Sequence, residues 1–359
     1  MEDFNNKERL HIFSSIKMTK GIVKNIMIDL EQNDFHIVPN DLIDFITKNK
    51  GKLRSEIFKS YPAKEHDTIE EYFLFLLKEN LIFFSDLELS HFPDLSDYWD
   101  SFSEITNTVI DIYSSKNIGK LEYVKNTLTQ LNCQNIEIRF FYTPTLNLLN
   151  KVLTVFDESI MRSISLTMPL VKNQVLLEEL LFKYKRIMDI NLYGENRFEF
   201  KTESPIFFFF SKKPTMSCGV INGQGFAMNI SSFTESRQFN SCLNRKLSIN
   251  IDTGNIKNCP SLPKTYGNIY DDDISTVVSS KEFQKLWKVT KKEINICNVC
   301  EFRDICTDCR AFTEPLLSDY QYDKPLKCGY DPYSGKWSNW EDDPKKVTLF
   351  KSQCKTNLI

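Results

Sequence analysis

The sequence predicts an α/β protein built from three successive parts, and three observations carry that prediction. Strand-like and helix-like runs alternate from about residue 105 to residue 193, the pattern of βα units on a parallel sheet. A shorter succession of strands, helices and a closing strand precedes them over residues 20–90. Seven cysteines follow in one spaced pattern: Cys242, Cys259, Cys297, Cys300, Cys306, Cys309 and Cys328.

In the first part, Gly21–Leu30 and Phe35–Val38 read as strands around the polar turn Glu31–Asp34. Asn40–Lys48 has helical spacing, with Leu42, Ile43 and Ile46 on one side. Asp67 and Glu70 form a variant capping box, which predicts a helix over Ile69–Glu79. Leu81–Phe84 closes the unit as a strand. This order resembles the small winged-helix domain that grips leader peptides in many peptide-modifying systems. An ordinary α+β cap is the alternative.

In the second part, strands are expected over Ile105–Tyr113, Ile136–Phe141, Ser163–Met168 and Ile187–Tyr193. Helices are expected over Leu121–Leu131, Leu146–Phe156 and Val175–Tyr184. Four or five such units suit a partial, degenerate (βα) barrel. Ile206–Phe210, after Pro205, reads as a strand buried on both faces.

The third part carries the chemistry. Its cysteines are spaced C-x11-G-x4-C, then C-x2-C-x5-C-x2-C, then a final cysteine. Two alternating runs flank Asp252-Thr-Gly-Asn255, a hairpin turn signal that brings Cys242 back beside Cys259. Seven thiolates are too many for one four-coordinate site. Two centres are therefore expected, with iron–sulfur clusters as the first reading and zinc as the alternative, since C-x2-C pairs serve both.

From about Cys218 to Trp340 the pattern resembles the SPASM domain, the auxiliary-cluster module at the C-terminus of many radical-SAM peptide-modifying enzymes. The Gly254 turn and the stretch Cys328-Gly-Tyr-Asp-Pro-Tyr-Ser-Gly-Lys-Trp337 belong to that resemblance. One spacing departs from it: two residues, Thr307 and Asp308, separate Cys306 from Cys309 where three are usual. A radical-SAM enzyme also needs a C-x3-C-x2-C loop after its first barrel strand. Here the equivalent loop, Tyr113–Lys120, has no cysteine, so no S-adenosylmethionine cluster is expected. The combination resembles the SPASM-domain maturases of grasp-with-spasm peptide systems, and the run Cys297–Phe312 with its short spacing looks like that group in particular. The resemblance implies maturation of a ribosomally synthesised precursor peptide alongside an ATP-grasp ligase. It also implies two [4Fe–4S] clusters, which need eight ligands. Cys218 is the natural eighth. The implied first set is Cys218, Cys242, Cys259 and Cys309, and the second is Cys297, Cys300, Cys306 and Cys328. Arg303, Asp308 and Arg310 lie among the ligands, either tuning the clusters or forming a solvated ion pair.

The expected boundaries are 1–95 for the winged-helix-like unit, 96–215 for the degenerate barrel and 216–345 for the SPASM domain, with a polar tail over 346–359. Cys133 and Cys354 are read as bystanders, and His11, His36, His66 and His91 as structural. The chain has 359 residues, 41% hydrophobic content and a net charge of −3, which suits a multi-part globular protein. No Lys/Arg run marks a nucleic-acid or anionic-membrane surface, and no run approaches the roughly eighteen apolar residues of a membrane helix. The protein is read as cytoplasmic, where ten cysteines mean metal or redox chemistry rather than disulfides. Gly219, Gly223 and Gly225 have the wrong spacing for a dinucleotide fingerprint and read as a turn beside Cys218. No nucleophile motif is present, and no catalytic residue is assigned. An iron–sulfur electron-transfer or redox-sensing protein is the competing function, and a structural zinc-binding protein is a further one.

Overall fold

A computed structural model of the chain describes residues 7–171, 174–194, 207–315 and 320–357. It is a mixed α/β structure around an eight-stranded, mostly parallel sheet.

The N-terminal part begins with β1 (Arg9–Ile12), β2 (Ile16–Lys20), β3 (Asn25–Asp29) and β4 (Asp34–Val38). Helices α1 (Asn40–Asn49), α2 (Arg54–Lys59) and α3 (His66–Lys78) follow, then β5 (Ile82–Ser85). Strands β2, β3 and β4 form one antiparallel sheet, and β1 pairs with β5 in another. The expected strand from Gly21 starts later, at Asn25, because the Gly21 N–H donates to the Lys24 carbonyl and closes a turn there. Helix α3 starts earlier than expected and without the capping box. Its Glu70 carboxylate instead accepts two hydrogen bonds from Arg54, at 2.6 and 2.7 Å.

All five residues of β3 are buried. Met27 faces the helices, in a core with Leu10, Ile46, Phe73 and Leu76. Ile26 and Ile28 face the other way, against Phe302, Ile305 and Tyr330 of the cysteine-bearing segment. The first and third parts of the sequence are thus packed directly together.

The sheet is built by β6 (Asn107–Ile112), β7 (Asn135–Phe140), β8 (Ser163–Pro169) and β9 (Ile187–Tyr193), alternating with α4 (Leu121–Gln130), α5 (Leu146–Asp157) and α6 (Gln174–Lys183). These elements fall within a residue or two of the expected bounds, and the period is clearest in α4, α5 and β9. Strand β10 (Phe207–Phe210) continues the parallel order at one edge. It is not buried on both faces: Phe208, Phe209 and Phe210 are 44–46% exposed, as an edge position allows. Ile206 and Pro205 lie outside the described residues.

The two sheet faces differ in kind. Ile136, Ile138, Phe140, Ile164, Leu166, Ile190 and Leu192 pack under the helices. Asp111, Glu137, Arg139, Thr167, Asn191 and Tyr193 alternate with them and line the opposite, polar face.

The rest of the chain contains α7 (Pro214–Ser217), α8 (Ile230–Gln238), β11 (Lys246–Asn250), β12 (Asn255–Lys257) and β13 (Gly267–Asn268). Short helices α9 (Ile274–Ser279) and α10 (Lys281–Gln284), the ribbon of β14 (Tyr330–Asp331) and β15 (Lys336–Trp337), and α11 (Pro344–Asn357) complete it. The expected hairpin is β11–β12, with Gly254 at φ +81° in its turn. Strand β11 also pairs in parallel with β6, so the hairpin extends the large sheet. Residues 346–357, expected as a polar tail, belong to α11, whose Phe350 is buried in the main core.

The buried pair Asp111–Arg139 fixes the centre of the polar face, with N–O distances of 2.6 and 2.8 Å. Burial works against the Arg139 charge, but the Asp111 carboxylate outweighs it and raises the pKa above the ordinary arginine value. Asp111→Ala leaves a buried cation unpaired and should cost about 3–5 kcal/mol in urea denaturation, whereas Asp111→Ala with Arg139→Met should recover most of that loss.

Candidate metal centre

The chain brings the eight candidate cysteines into two groups. The thiol of Cys309 lies within electrostatic reach of Cys218, Cys242 and Cys259. Cys306 lies within reach of Cys297 and Cys328, and Cys300 within reach of Cys297 and Cys306. Cys133 is buried apart from them, beside Thr108 Oγ1 at 3.4 Å. Cys354 lies on α11, with its sulfur 4.0 Å from Met216 Sδ.

Local structure explains the first group. The β11–β12 hairpin returns Cys259 towards Cys242. Helix α7 ends at Cys218. Gly219 follows at φ +81°, and a Cβ there would lie 2.7 Å from Cys309 Sγ. Only glycine lets the backbone turn and approach the thiol this closely. The second group is held by a segment with little regular structure, where the Cys300 N–H donates to the Cys297 carbonyl and the Cys306 N–H to the Phe302 carbonyl.

Burial pushes the Cys259 and Cys306 thiols up to about 12, and moves Cys300 and Cys309 in the same direction. A bound metal would have to displace those protons, because the thiolate is the ligand. Two cations lie near that charge, the half-buried Lys246 and the buried Lys291. Desolvation opposes the charge of Lys246, but Cys242, Cys259 and Cys218 raise its pKa overall. Desolvation opposes Lys291 in the same way, and Asp308, Cys306 and Cys297 outweigh it.

The groups are open. Their thiols sense one another, yet among the described residues no three His, Cys, Asp or Glu side chains draw close enough to hold one metal ion. A mononuclear tetrahedral zinc needs thiolates about 2.3 Å from a common point. A polynuclear cluster spreads its ligands around its corners. The donor set, thiolates with a glycine cradle beside Cys309, is of a kind that serves zinc or an iron–sulfur cluster.

Asp308 and Arg310, expected as a solvated ion pair if not as tuning groups, are buried. Arg310 is 2% exposed and Asp308 4%. The Arg310 guanidinium grips Asp308 at 2.6 and 2.9 Å and donates to the Gln321 and Asp323 carbonyls. Burial opposes ionisation of Asp308, but Arg310 and Lys291 overcome it and hold the carboxyl well below the usual carboxylate range. Arg303 bridges two parts of the chain, donating to the Cys300 carbonyl at 2.8 Å and to the Lys20 carbonyl of the N-terminal part at 2.7 Å. Sequence reading missed Lys246, Lys291 and Lys327. Their only signal is that each lies within a few residues of a candidate cysteine.

The polar sheet face adjoins the first group. A cavity of about 300 Å³ is lined by Glu137, Arg139, Asn191, Tyr193, Lys212 and Cys218. The loop after β6 is held by Asp252. Its Tyr113 and Ser114 N–H groups donate to Asp252 Oδ2 at 2.6 and 3.2 Å, and the Ser114 hydroxyl donates to Asp252 Oδ1. Tyr113 stacks flat on Phe141 at 4.2 Å.

No family model matches the chain, and no curated protein matches it. Among solved structures it is similar to the SuiB protein of Streptococcus suis. Against SuiB bound to S-adenosylmethionine the TM-score is 0.35 at 12% identity, covering 88% of this chain and 98% of that one. Against SuiB bound to the precursor peptide SuiA it is 0.32 at 11% identity, covering 84% and 96%. Likeness at this level does not establish a shared fold. Among the described residues, no helix is long and apolar enough to cross a membrane.

Gly219→Ala should destabilise the protein by about 1–3 kcal/mol through the strained backbone alone, with displacement of Cys309 added. Gly223→Ala meets no atom within 4 Å and should stay within about 0.5 kcal/mol of the parent. Thermal unfolding of the two variants side by side checks this.

Proposed function

We propose that this chain is a SPASM-type iron–sulfur protein that takes part in maturing a ribosomally synthesised peptide, alongside an ATP-grasp ligase in the cytoplasm. It binds or positions the precursor and performs no radical-SAM chemistry. The observation that supports the reading is the spacing of the eight cysteines, with Cys309 Sγ packed against the Gly219 turn that follows Cys218. Cys218, Cys242, Cys259 and Cys309 would hold one [4Fe–4S] cluster; Cys297, Cys300, Cys306 and Cys328 would hold the other.

Bound there, a cluster supplies a rigid cross-link between distant segments and a one-electron centre. The chain's own residues do the rest. Lys246 and Lys291 offset thiolate charge. The winged-helix-like unit over 1–95 offers β4 as a sheet edge, with Ile37 exposed, and an extended leader peptide adds to such an edge by main-chain pairing. The degenerate barrel over 96–215 offers the polar cavity beside Cys218, and the SPASM domain over 216–345 holds the clusters. The cysteine-free loop clamped by Asp252 supports the absence of radical chemistry.

One observation favours electron transfer as a second reading. Phe302, Tyr330 and Trp337 form a run of ring contacts at 5.0 and 4.8 Å. It starts beside Cys300 and Cys328 and ends at a tryptophan that is 44% exposed.

Protein purified without oxygen should contain about eight irons and eight sulfides per chain. Cys259→Ser and Cys300→Ser should each remove about half, with different Mössbauer components lost. With S-adenosylmethionine and a strong reductant, no 5′-deoxyadenosine should form. Zinc without sulfide would overturn the cofactor assignment and favour the structural zinc alternative. Rapid reversible electron exchange with a reductase, and no affinity for a precursor peptide encoded beside an ATP-grasp ligase, would favour the electron-transfer reading.

A further inference from the structure

Lys327 is the most conspicuous buried charge that the metal centre leaves unexplained. Its side chain is fully buried, at 0% exposure. Its ammonium donates to the Met216 carbonyl at 2.7 Å and the Cys218 carbonyl at 2.8 Å. Three rings surround it: Phe350 at 3.8 Å, Phe312 at 5.0 Å and Trp340 at 5.4 Å. Among the described residues, no carboxylate pairs with it. An ammonium taken out of water costs several kcal/mol unless an anion compensates, and two carbonyls with aromatic faces supply only part of that.

The missing anion has an evident place. The Lys327 ammonium bonds the Cys218 carbonyl at 2.8 Å, and the next residue, Gly219, is packed so closely on Cys309 that a Cβ there would lie 2.7 Å from its Sγ. Lys327 also precedes Cys328 in sequence, and its own carbonyl accepts from the Ile221 N–H. It therefore sits where the two cysteine groups meet: its backbone belongs to the segment of the second, and its side chain holds the backbone of the first.

We propose that Lys327 is a positioning residue for the first cluster, seating Cys218 as its fourth ligand and balancing part of its negative charge. The inference rests on the iron–sulfur reading given above. It also gives α11 a task, because Phe350 forms one wall of the ammonium cage and Lys346 donates to the Cys328 carbonyl at 3.1 Å.

Two variants separate seating from charge. Lys327→Met removes both the donors and the charge. Its first cluster should be lost with about half of the iron and sulfide, as Cys218→Ser and Cys259→Ser should each lose it. Lys327→Gln keeps two N–H donors without the charge. It should keep its iron count while the reduction potential of the first cluster becomes more negative, since an added electron loses a nearby cation. The potentials are assigned with Cys259→Ser and Cys300→Ser. Should Lys327→Met fail to fold, the shift in Lys327→Gln decides alone. Iron-loaded parent protein whose Lys327 variants match it in iron content and both potentials would overturn this inference and leave the iron–sulfur reading standing. Parent protein without iron and sulfide, or Cys218→Ser indistinguishable from the parent, would overturn the ligand assignment and this inference with it.

Discussion

One buried carboxylate organises the cysteine-bearing half of the molecule. Asp308 receives Arg310 through two hydrogen bonds, Lys291 at 3.0 Å and the Asn240 amide at 2.7 Å. Each partner reaches further. Arg310 holds the carbonyls of Gln321 and Asp323, while Asn240 accepts from the Cys242 and Leu243 N–H groups and donates to the Val289 carbonyl. The segments carrying Cys242, Cys306 and Cys309 are thus referred to one point. Two cations on one anion leave a surplus positive charge in a low-dielectric interior, which is costly in isolation. The Cys297 and Cys306 thiols within reach of Lys291 supply negative charge once they ionise. The network and the centre it frames are each more favourable with the other present.

A second constraint joins the ends of the chain. Strand β3 has no free face, since it is covered on one side by the N-terminal helices and on the other by Phe302, Ile305 and Tyr330. Polar contacts then fix the orientation. Thr19 donates to Asp304 at 2.9 Å, Arg303 reaches the Lys20 carbonyl, and Lys24 reaches the Gly335 carbonyl at 3.0 Å. Gly21 backs so closely onto Glu301 that a Cβ would meet its carboxylate at 2.9 Å. Residues 301–304 thus serve two interfaces, with cysteines on either side and the N-terminal sheet in front.

How much was legible in the sequence follows from what kind of signal each element leaves. Elements β6 to β9 and α4 to α5 were readable because one face of each packs on apolar neighbours and the other does not, so the period survives. The hairpin was readable from its turn residues. Strands β1 and β2 were missed because Ile16-Lys-Met-Thr-Lys20 buries a threonine against Asp304, a contact made by residues almost 300 positions apart. The four phenylalanines of β10 suggested a buried strand, but hydrophobicity does not report edge position. Arg310 and Lys327 look like ordinary surface cations in sequence, and only tertiary contacts show that they are buried. Helix α11 was hidden for the same reason, since a single buried Phe350 gives no period.

The turn at Asp252 links the sheet to the candidate metal centre. It belongs to the hairpin that returns Cys259 to Cys242, and its carboxylate holds the loop after β6. Strand β11 of the same hairpin pairs with β6 along five residues. Displacing the first cysteine group relative to the polar sheet face would break both sets of contacts, so the two are mechanically one body. The cavity on that face has Cys218 in its wall, with Arg139 and Lys212 beside it. Cys300, Cys306 and Cys328 of the second group are instead packed against the N-terminal sheet. The two groups thus have different surroundings: one borders the cavity on the polar sheet face, and the other joins the cysteine-bearing segment to the N-terminal strands.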